Sequence, residues 1–216
     1  MNWTNEELRI FERFIEAQSL RVSEWAERYR YVAMGAHVGR WRNDISPHLV
    51  KIMDTWQERN VREVVILKVP QSGGSEAMLN MIAYALDNDN APVMIVVPTQ
   101  ELARKMMKDR IIPMIQQTEK LAELVENYTE ELTRFRVKLK TGARLYVAWA
   151  NSATALASFP VKYLFFDEMD KYPIQLAKEA DPVSLAEKRT TTFKKSYKIV
   201  KISTPTTPQN YIYRAW

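Results

Sequence analysis

Two carboxylates close an apolar run in Val161-Lys162-Tyr163-Leu164-Phe165-Phe166-Asp167-Glu168. A buried strand ending in Asp-Glu is what magnesium-dependent nucleoside triphosphate hydrolysis requires. Asp167 would hold the Mg2+ shell, and Glu168 would polarise the attacking water as general base. The competing reading is a polar strand end entering a loop. Well upstream lies Lys68-Val69-Pro70-Gln71-Ser72-Gly73-Gly74-Ser75-Glu76, a glycine-serine turn between an apolar run and a helical pattern. A strand, a glycine turn and a helix together aim backbone N–H groups and a helix N-terminus at a phosphate. The segment departs twice from the usual G-x-x-x-x-G-K-[ST] loop: Lys68 stands where the first glycine belongs, and Gly74 where the lysine belongs. Ser75 keeps the hydroxyl that meets Mg2+. Hydrolysis asks only that some cation reach the β/γ-phosphate oxygens, and a lysine at the loop's opening can cross the loop to do so. Ser203-Thr204-Pro205-Thr206 follows a third apolar run. Small hydroxyl residues at a strand end can sense a γ-phosphate, although alone they read as an ordinary turn with proline. Asp170 reads as structural.

These residues need a scaffold, and the pattern between them supplies one. Short buried strands are expected at Glu63 to Leu67, Pro92 to Val97, Leu145 to Ala148, Tyr163 to Phe166 and Ile199 to Ile202. Helices are expected over Glu76 to Leu86 and from Gln100 to Met107 and beyond. Alternation of helices with continuously apolar strands indicates an α/β fold with a mainly parallel sheet covered on both faces. Residues 5–34 read as helical, with Leu8, Phe11, Phe14 and Ile15 at helical spacing. There Arg21, Arg28 and Arg30 interleave with Trp25, Tyr29 and Tyr31, which reads as a surface helix whose aromatic side enters the core, with a nucleic-acid contact as the competing reading. His37 to Pro47 reads as a loop and Leu49 to Gln57 as a short helix.

The chain has 216 residues, 46% hydrophobic and 26% charged, which suits one large soluble domain. With no cysteine and two histidines, His37 and His48, disulfides, Cys-ligated zinc and a His-rich metal site are excluded or disfavoured. The N-terminus lacks the basic start and apolar run of a signal peptide, and no apolar run approaches the roughly 20 residues of a membrane span. A soluble intracellular protein is expected. The net charge of +5 favours a polyanionic partner, nucleic acid first.

Positive charge is densest in two places. Arg134-Phe135-Arg136-Val137-Lys138-Leu139-Lys140 alternates basic with apolar, a period-2 strand with one cationic face. It is either an edge strand protected by charge or a DNA-facing strip. The second cluster is Lys194, Lys195, Lys198 and Lys201.

Taken together these residues resemble the lambda-type large terminase subunits of tailed phages. The similarity runs from about Gly39 onward. It includes the surroundings of Trp41 and Pro47, Val61 to Val65, the phosphate loop, Ala150-Asn151-Ser152, Phe166 to Pro173, Asp181 to Thr190, and Ser203 to Thr206. The resemblance implies a P-loop ATPase of the additional-strand, conserved-glutamate type, binding ATP and Mg2+. It also implies a ring of subunits on the portal of a procapsid, working with a small terminase subunit to drive double-stranded DNA inward in the host cytoplasm. A phosphate loop with its lysine at the start is a known feature of the family. By resemblance Lys68, Glu168 and Asp167 are the catalytic set, and Ser75 and Asp167 the Mg2+ ligands. Gln71, Ser72, Gly73, Gly74, Ser75 and Glu76 line the nucleotide, while Ser203, Thr204, Pro205 and Thr206 couple hydrolysis to movement. Adenine contacts lie upstream of the loop, with Trp41, Arg42 and His48 as candidates. Residues 1–60 then form an N-terminal helical segment and adenine-side loop of the same domain, and 61–216 the ATPase core. Complete family members continue into a nuclease domain, whose acidic cluster is not in this sequence. Many members carry an arginine where Gln71 stands, so the charge-stabilising arginine has to come from elsewhere, a neighbouring subunit included. Arg104, Arg110, Arg144 and Arg189 are the candidates.

Two other readings compete. Pro98-Thr99-Gln100-Glu101-Leu102-Ala103 resembles a helicase motif, and Ser203-Thr204-Pro205 another, pointing to a superfamily-2 helicase core. The missing Gly-Lys pair would also suit a non-hydrolysing DNA-binding or assembly module, although such a module has no use for a buried acidic pair.

Overall fold

The computed structural model describes residues 4, 20–125, 132–176 and 181–216. The expected helical stretch with Leu8, Phe11, Phe14 and Ile15 lies outside these, except for its end. There a helix, α1 (Val22–Tyr29), stops at Tyr29, and Tyr31–Val32 (β1) pairs antiparallel with Gly39–Arg40 (β2). The expected helix to residue 34 is thus shorter, and the expected loop contains a two-residue strand. α2 (Pro47–Gln57) follows, with proline in its first turn, where a missing N–H costs nothing.

The main sheet has six strands: β3 (Glu63–Leu67), β4 (Pro92–Val97), β5 (Arg136–Lys138), β6 (Arg144–Trp149), β7 (Tyr163–Asp167) and β8 (Lys198–Ser203). Their order across the sheet is β3-β8-β7-β4-β6-β5, parallel except for β5. Successive side chains of a strand face opposite sides. Val93, Ile95 and Val97 accordingly join one core cluster, and Met94 and Val96 the other. Both faces are covered. The first carries α1, α2, the loop helix α3 (Gly74–Asn88) and α4 (Gln100–Met106); the second carries Ala153–Leu156, Pro182–Glu187 and Tyr211–Ala215. This is why the central strands β4 and β7 read as almost unbroken apolar runs.

α4 does not continue as a plain helix. Met107–Ile111 forms a π-helical turn before Ile112–Gln117 resumes as α-helix. Pro113, which has no N–H to donate back along the helix, follows immediately.

Strand β8 lies between β3 and β7, and the registers align their ends. Leu67 is opposite Ser203, and Asp167 opposite Ile202. The residues that follow, Lys68, Glu168 and Thr204, therefore emerge side by side at one edge of the sheet.

Candidate active site

At that edge Lys68 opens the phosphate loop, its N–H donating to Ser203 O at 3.0 Å. The loop turns through two left-handed residues, Gln71 (φ 61°) and Gly73 (φ 80°), before α3 begins. His48 steadies it from α2, its imidazole Nε2 lying 3.2 Å from Ser72 O. The Lys68 ammonium crosses the loop and forms an ion pair with Glu168 Oε1, with Thr204 Oγ1 at 3.5 Å. Gly74 makes this crossing possible: a Cβ there would stand 3.0 Å from Lys68 Cδ and 2.8 Å from Ile202 Cδ1. The glycine in the usual lysine slot is therefore the space that the displaced lysine occupies.

Glu168 adopts left-handed backbone (φ 53°, ψ 44°), unusual for a residue with a side chain. Its second oxygen lies 3.2 Å from Lys171 Nζ. Burial alone would raise its carboxyl, but the bonds and charges of Lys68 and Lys171 outweigh it and hold the group below the usual range. Asp167 behaves in the opposite way. Burial, then the neighbouring Glu168 charge, pushes its carboxyl up to about 6, against the pull of Lys68, the Ser75 bond and Arg110. Ser75 Oγ donates to Asp167 Oδ1 at 3.3 Å. Below the pair, the buried Tyr172 hydroxyl bonds Val96 O (2.6 Å) and Asp167 O (3.1 Å), fixing the strand end from beneath.

A serine hydroxyl and a buried, costly carboxylate side by side suit a small hard cation. Among the described residues no three acidic or histidine side chains gather as a metal cage. Mg2+ typically takes one or two carboxylates and completes its shell with water and substrate phosphates.

Two cavities flank the loop. One, of about 360 Å3, is lined by Trp41, Arg42, His48, Gln71, Ser72 and Gly73 among others, so the upstream candidates do meet the loop. Within it Trp41 Nε1 donates to Asn43 Oδ1 at 2.8 Å, and the exposed Arg42 pairs with Asp44. The other, of about 460 Å3, holds Ser75, Asp167, Glu168, Lys171 and Arg110. Glu76 departs from expectation. Its carboxylate is taken by Arg30 and Arg110, so only its backbone N–H is left for a phosphate.

The remaining candidates scatter. Arg104 is exposed and bonds Gln100. Arg144 begins β6 opposite Pro92, at the far end of the sheet from the loop. Arg189 bonds Ala157 O, and its carbonyl accepts from Val161 N–H, just ahead of β7 and likewise at the far end. Of the four, Arg110 alone lines the cavity with the acidic pair.

Ser203 is fully buried. Its Oγ accepts from Asp170 N–H at 3.2 Å, and the Asp170 carboxylate receives Thr206 N–H at 3.0 Å and Ile212 N–H at 2.8 Å. Asp170 thus ties the acidic turn to Ser203-Thr204-Pro205-Thr206, the structural role expected of it.

Among the DNA candidates Arg134, Arg136, Lys138 and Lys140 are exposed around edge strand β5, and Lys194 and Lys195 are exposed before β8. Contrary to the sequence expectation, Lys201 and Lys198 are not free for DNA. Lys201 is buried between Glu63 (2.8 Å) and Glu187 (2.9 Å). Lys198 donates to Glu58 O and Val61 O, and burial lowers its pKa to about 8. Both ammonium groups are engaged within the fold.

Arg30, buried against Glu76, and Lys171, on Glu168, join the site without any expectation of it from the sequence. No local pattern marks either one.

Comparison with known proteins identifies the family and the fold. The chain is 23% identical over 202 residues to the terminase large subunit of Escherichia phage lambda, covering 88% of this chain and 31% of that protein. In fold it is similar to the large terminase of bacteriophage HK97, with a TM-score of 0.70 at 12% identity over 91% of this chain and 40% of that one. The large terminase ATPase domain of Thermus phage P74-26 gives 0.55 at 19% identity, over 77% and 66%. Residues 35–216 match the family described as phage terminase large subunit gpA, ATPase domain. Since that match takes in nearly all of the described structure, including the phosphate loop and the acidic strand end, the chain belongs to the ATPase domain family of gpA-type phage terminase large subunits.

Proposed function

We propose that this chain hydrolyses ATP with Mg2+ as the motor domain of a DNA-packaging terminase. The observation that carries the reading is the meeting, at one sheet edge, of the Ser75–Asp167 contact with the Lys68–Glu168 pair. Ser75 and Asp167 would hold Mg2+, which when bound neutralises phosphate charge and orients the terminal phosphoryl group. Backbone N–H groups from Ser72 to Glu76 and the start of α3 cradle the phosphates. Lys68 exchanges Glu168 for a phosphate oxygen. That exchange leaves Glu168 Oε1 available to accept the attacking water's proton, while Lys171 stays on Oε2. The cavity beside Trp41 and His48 takes the base.

The chain spans about a third of the lambda large subunit. Its service to a whole packaging machine is supported by family membership and by the exposed cationic residues of β5. We place it in a homo-oligomeric ring on the portal of a procapsid, together with a small terminase subunit and double-stranded DNA, in the host cytoplasm. Coupling of hydrolysis to movement runs through Ser203 to Thr206, which touch both Lys68 and the acidic turn.

The test is phosphate release from ATP by the purified chain, with Mg2+ or with chelator, and with or without duplex DNA. Mg2+-dependent release is expected, and absence of turnover under every condition would refute the assignment.

A further inference from the structure

Glu76 is the residue after Ser75, and two arginines distant in sequence share its carboxylate. Arg30 Nη2 donates to Oε2 at 2.9 Å, and Arg110 Nη1 to Oε1 at 2.5 Å. Two cations on one carboxylate leave net positive charge at the first turn of α3, where phosphates would arrive.

The two arginines differ in freedom. The Arg30 side chain is 2% exposed, and its Nε and Nη1 are buried with no hydrogen-bond partner. Burial lowers its pKa to about 10, with Glu76 opposing and Arg110 adding to the fall. The Arg110 side chain is 35% exposed and borders the cavity that holds Ser75, Asp167 and Glu168. It stands on the π-helical turn Met107–Ile111, a distortion that costs regular helix hydrogen bonding and frequently marks functional positions. Its charge is felt by Asp167.

We propose that Arg110 is the arginine this chain supplies, within its own site, to the terminal phosphate of bound ATP, and that Glu76 holds it in reserve until nucleotide arrives. The inference rests on the ATP-hydrolysing reading above. The buried donors of Arg30 make the exchange feasible. When Arg110 leaves Oε1, Arg30 has Nε and Nη1 unused and can close on Glu76 with two bonds, so no buried carboxylate oxygen is stranded. In the resting site, Glu76 also offsets the charge of Arg110, which shares its cavity with Lys171. Once phosphate fills the loop, a planar guanidinium with several donors suits a phosphoryl group whose charge spreads over its outer oxygens.

The test uses the purified chain, with turnover and competitive binding of ADP and of a non-hydrolysable ATP analogue. Arg110→Ala should lower turnover about 100-fold or more, in line with loss of a preorganised charge-stabilising donor. ADP affinity should stay within about threefold, and the preference for the ATP analogue over ADP should fall about tenfold, since the lost contact is to the terminal phosphate. Arg110→Lys, which keeps the charge and loses the fork, should also fall short of wild-type turnover, and it keeps the test open if the alanine variant folds poorly. Mixing Arg110→Ala with Glu168→Gln in equal amounts should restore nothing. Recovery in the mixture would mean Arg110 serves a neighbouring site and would overturn the assignment. Wild-type turnover and nucleotide preference in Arg110→Ala would overturn it as well. A wild-type chain that neither binds nor cleaves ATP would instead defeat the functional reading beneath it.

Discussion

The stem of Lys68 passes over the α-carbon of Gly74, leaving 3.0 Å between its Cδ and the place a methyl group at 74 would occupy. The two departures of this loop from the usual phosphate-binding pattern are therefore one change. Moving the lysine to the loop's opening sends its chain across the loop, and only glycine at the old lysine position leaves room for it. Gly74→Ala should misplace the ammonium, lowering turnover at least tenfold, and should destabilise the fold by about 1–3 kcal/mol through overpacking. Lys68→Ala should cost on the order of 3 kcal/mol of transition-state stabilisation with the fold intact. Steady-state kinetics and thermal melts of both variants check this. Full activity in Lys68→Ala would remove the lysine from the mechanism.

Glu168 and Asp167 are adjacent but should separate in their effects. Glu168→Gln should bind ATP and barely cleave it, because an amide cannot take the water's proton. Asp167→Asn should weaken the dependence on Mg2+ and the affinity for ATP. Isothermal titration beside turnover distinguishes the two, and normal cleavage by Glu168→Gln would require another base.

The raised carboxyl of Asp167 carries a pH signature. A group protonated up to about 6 in the folded chain, against 3.8 ordinarily, binds an extra proton in the native state between those values. Stability should therefore fall as pH rises through that window, and the cost persists above it. Asp167→Asn should melt several degrees higher than wild type at pH 8, and the gain should shrink towards pH 4. In the wild type, kcat/KM should drop on the acid side near pH 6. Higher Mg2+ should move this limb to lower pH, since the cation and the proton compete for one carboxylate. An acid limb unaffected by Mg2+ would assign it to another group.

The cationic residues divide into available and committed charge. Binding to duplex DNA should be indifferent to sequence and steep in salt, with each lost phosphate contact lowering the log–log slope by about 0.9. Neutralising Arg134, Arg136, Lys138 and Lys140 should reduce that slope and any DNA stimulation while basal hydrolysis persists; Lys194 and Lys195 form the second set. Lys201→Ala should leave the slope alone and lower stability, because it strands Glu63 and Glu187. Unchanged slopes in both neutralised sets would mean that DNA is gripped elsewhere.

The parts of this fold legible in the sequence are those whose signal is local. Strands β4 and β7 are buried on both faces, so each appears as an apolar run within a residue or so of its observed ends, while β3, at the sheet edge, and β8, interrupted by Lys201, are still marked by β-branched residues. Strand β5 is buried on one face, and its alternation of Arg136, Val137 and Lys138 showed it. Lys68, Ser75, Asp167 and Glu168 were legible because loop and strand-end chemistry is written in consecutive residues. What stayed hidden is what depends on distant partners. Nothing near Arg30 says it will be buried against Glu76, and nothing near Lys201 says that Glu63 and Glu187 will enclose it. Strands β1 and β2, two residues each, are too short for any periodicity.

Asp170 has a mechanical consequence. Two positions beyond Glu168, it grips Thr206 and Ile212 through its carboxylate and Ser203 through its N–H. The acidic turn and the last helix are thereby yoked like a crank and its arm. A small rotation of the turn at Glu168 must drag Ser203, Thr206 and Ile212 with it or break the hydrogen bonds that Asp170 makes to them. Asp170 does not hold that arm alone: the Tyr211 hydroxyl bonds Pro173 O and Ile174 O just beyond the turn, and Ile212 is buried in the core, so the arm is tied to the turn from both sides.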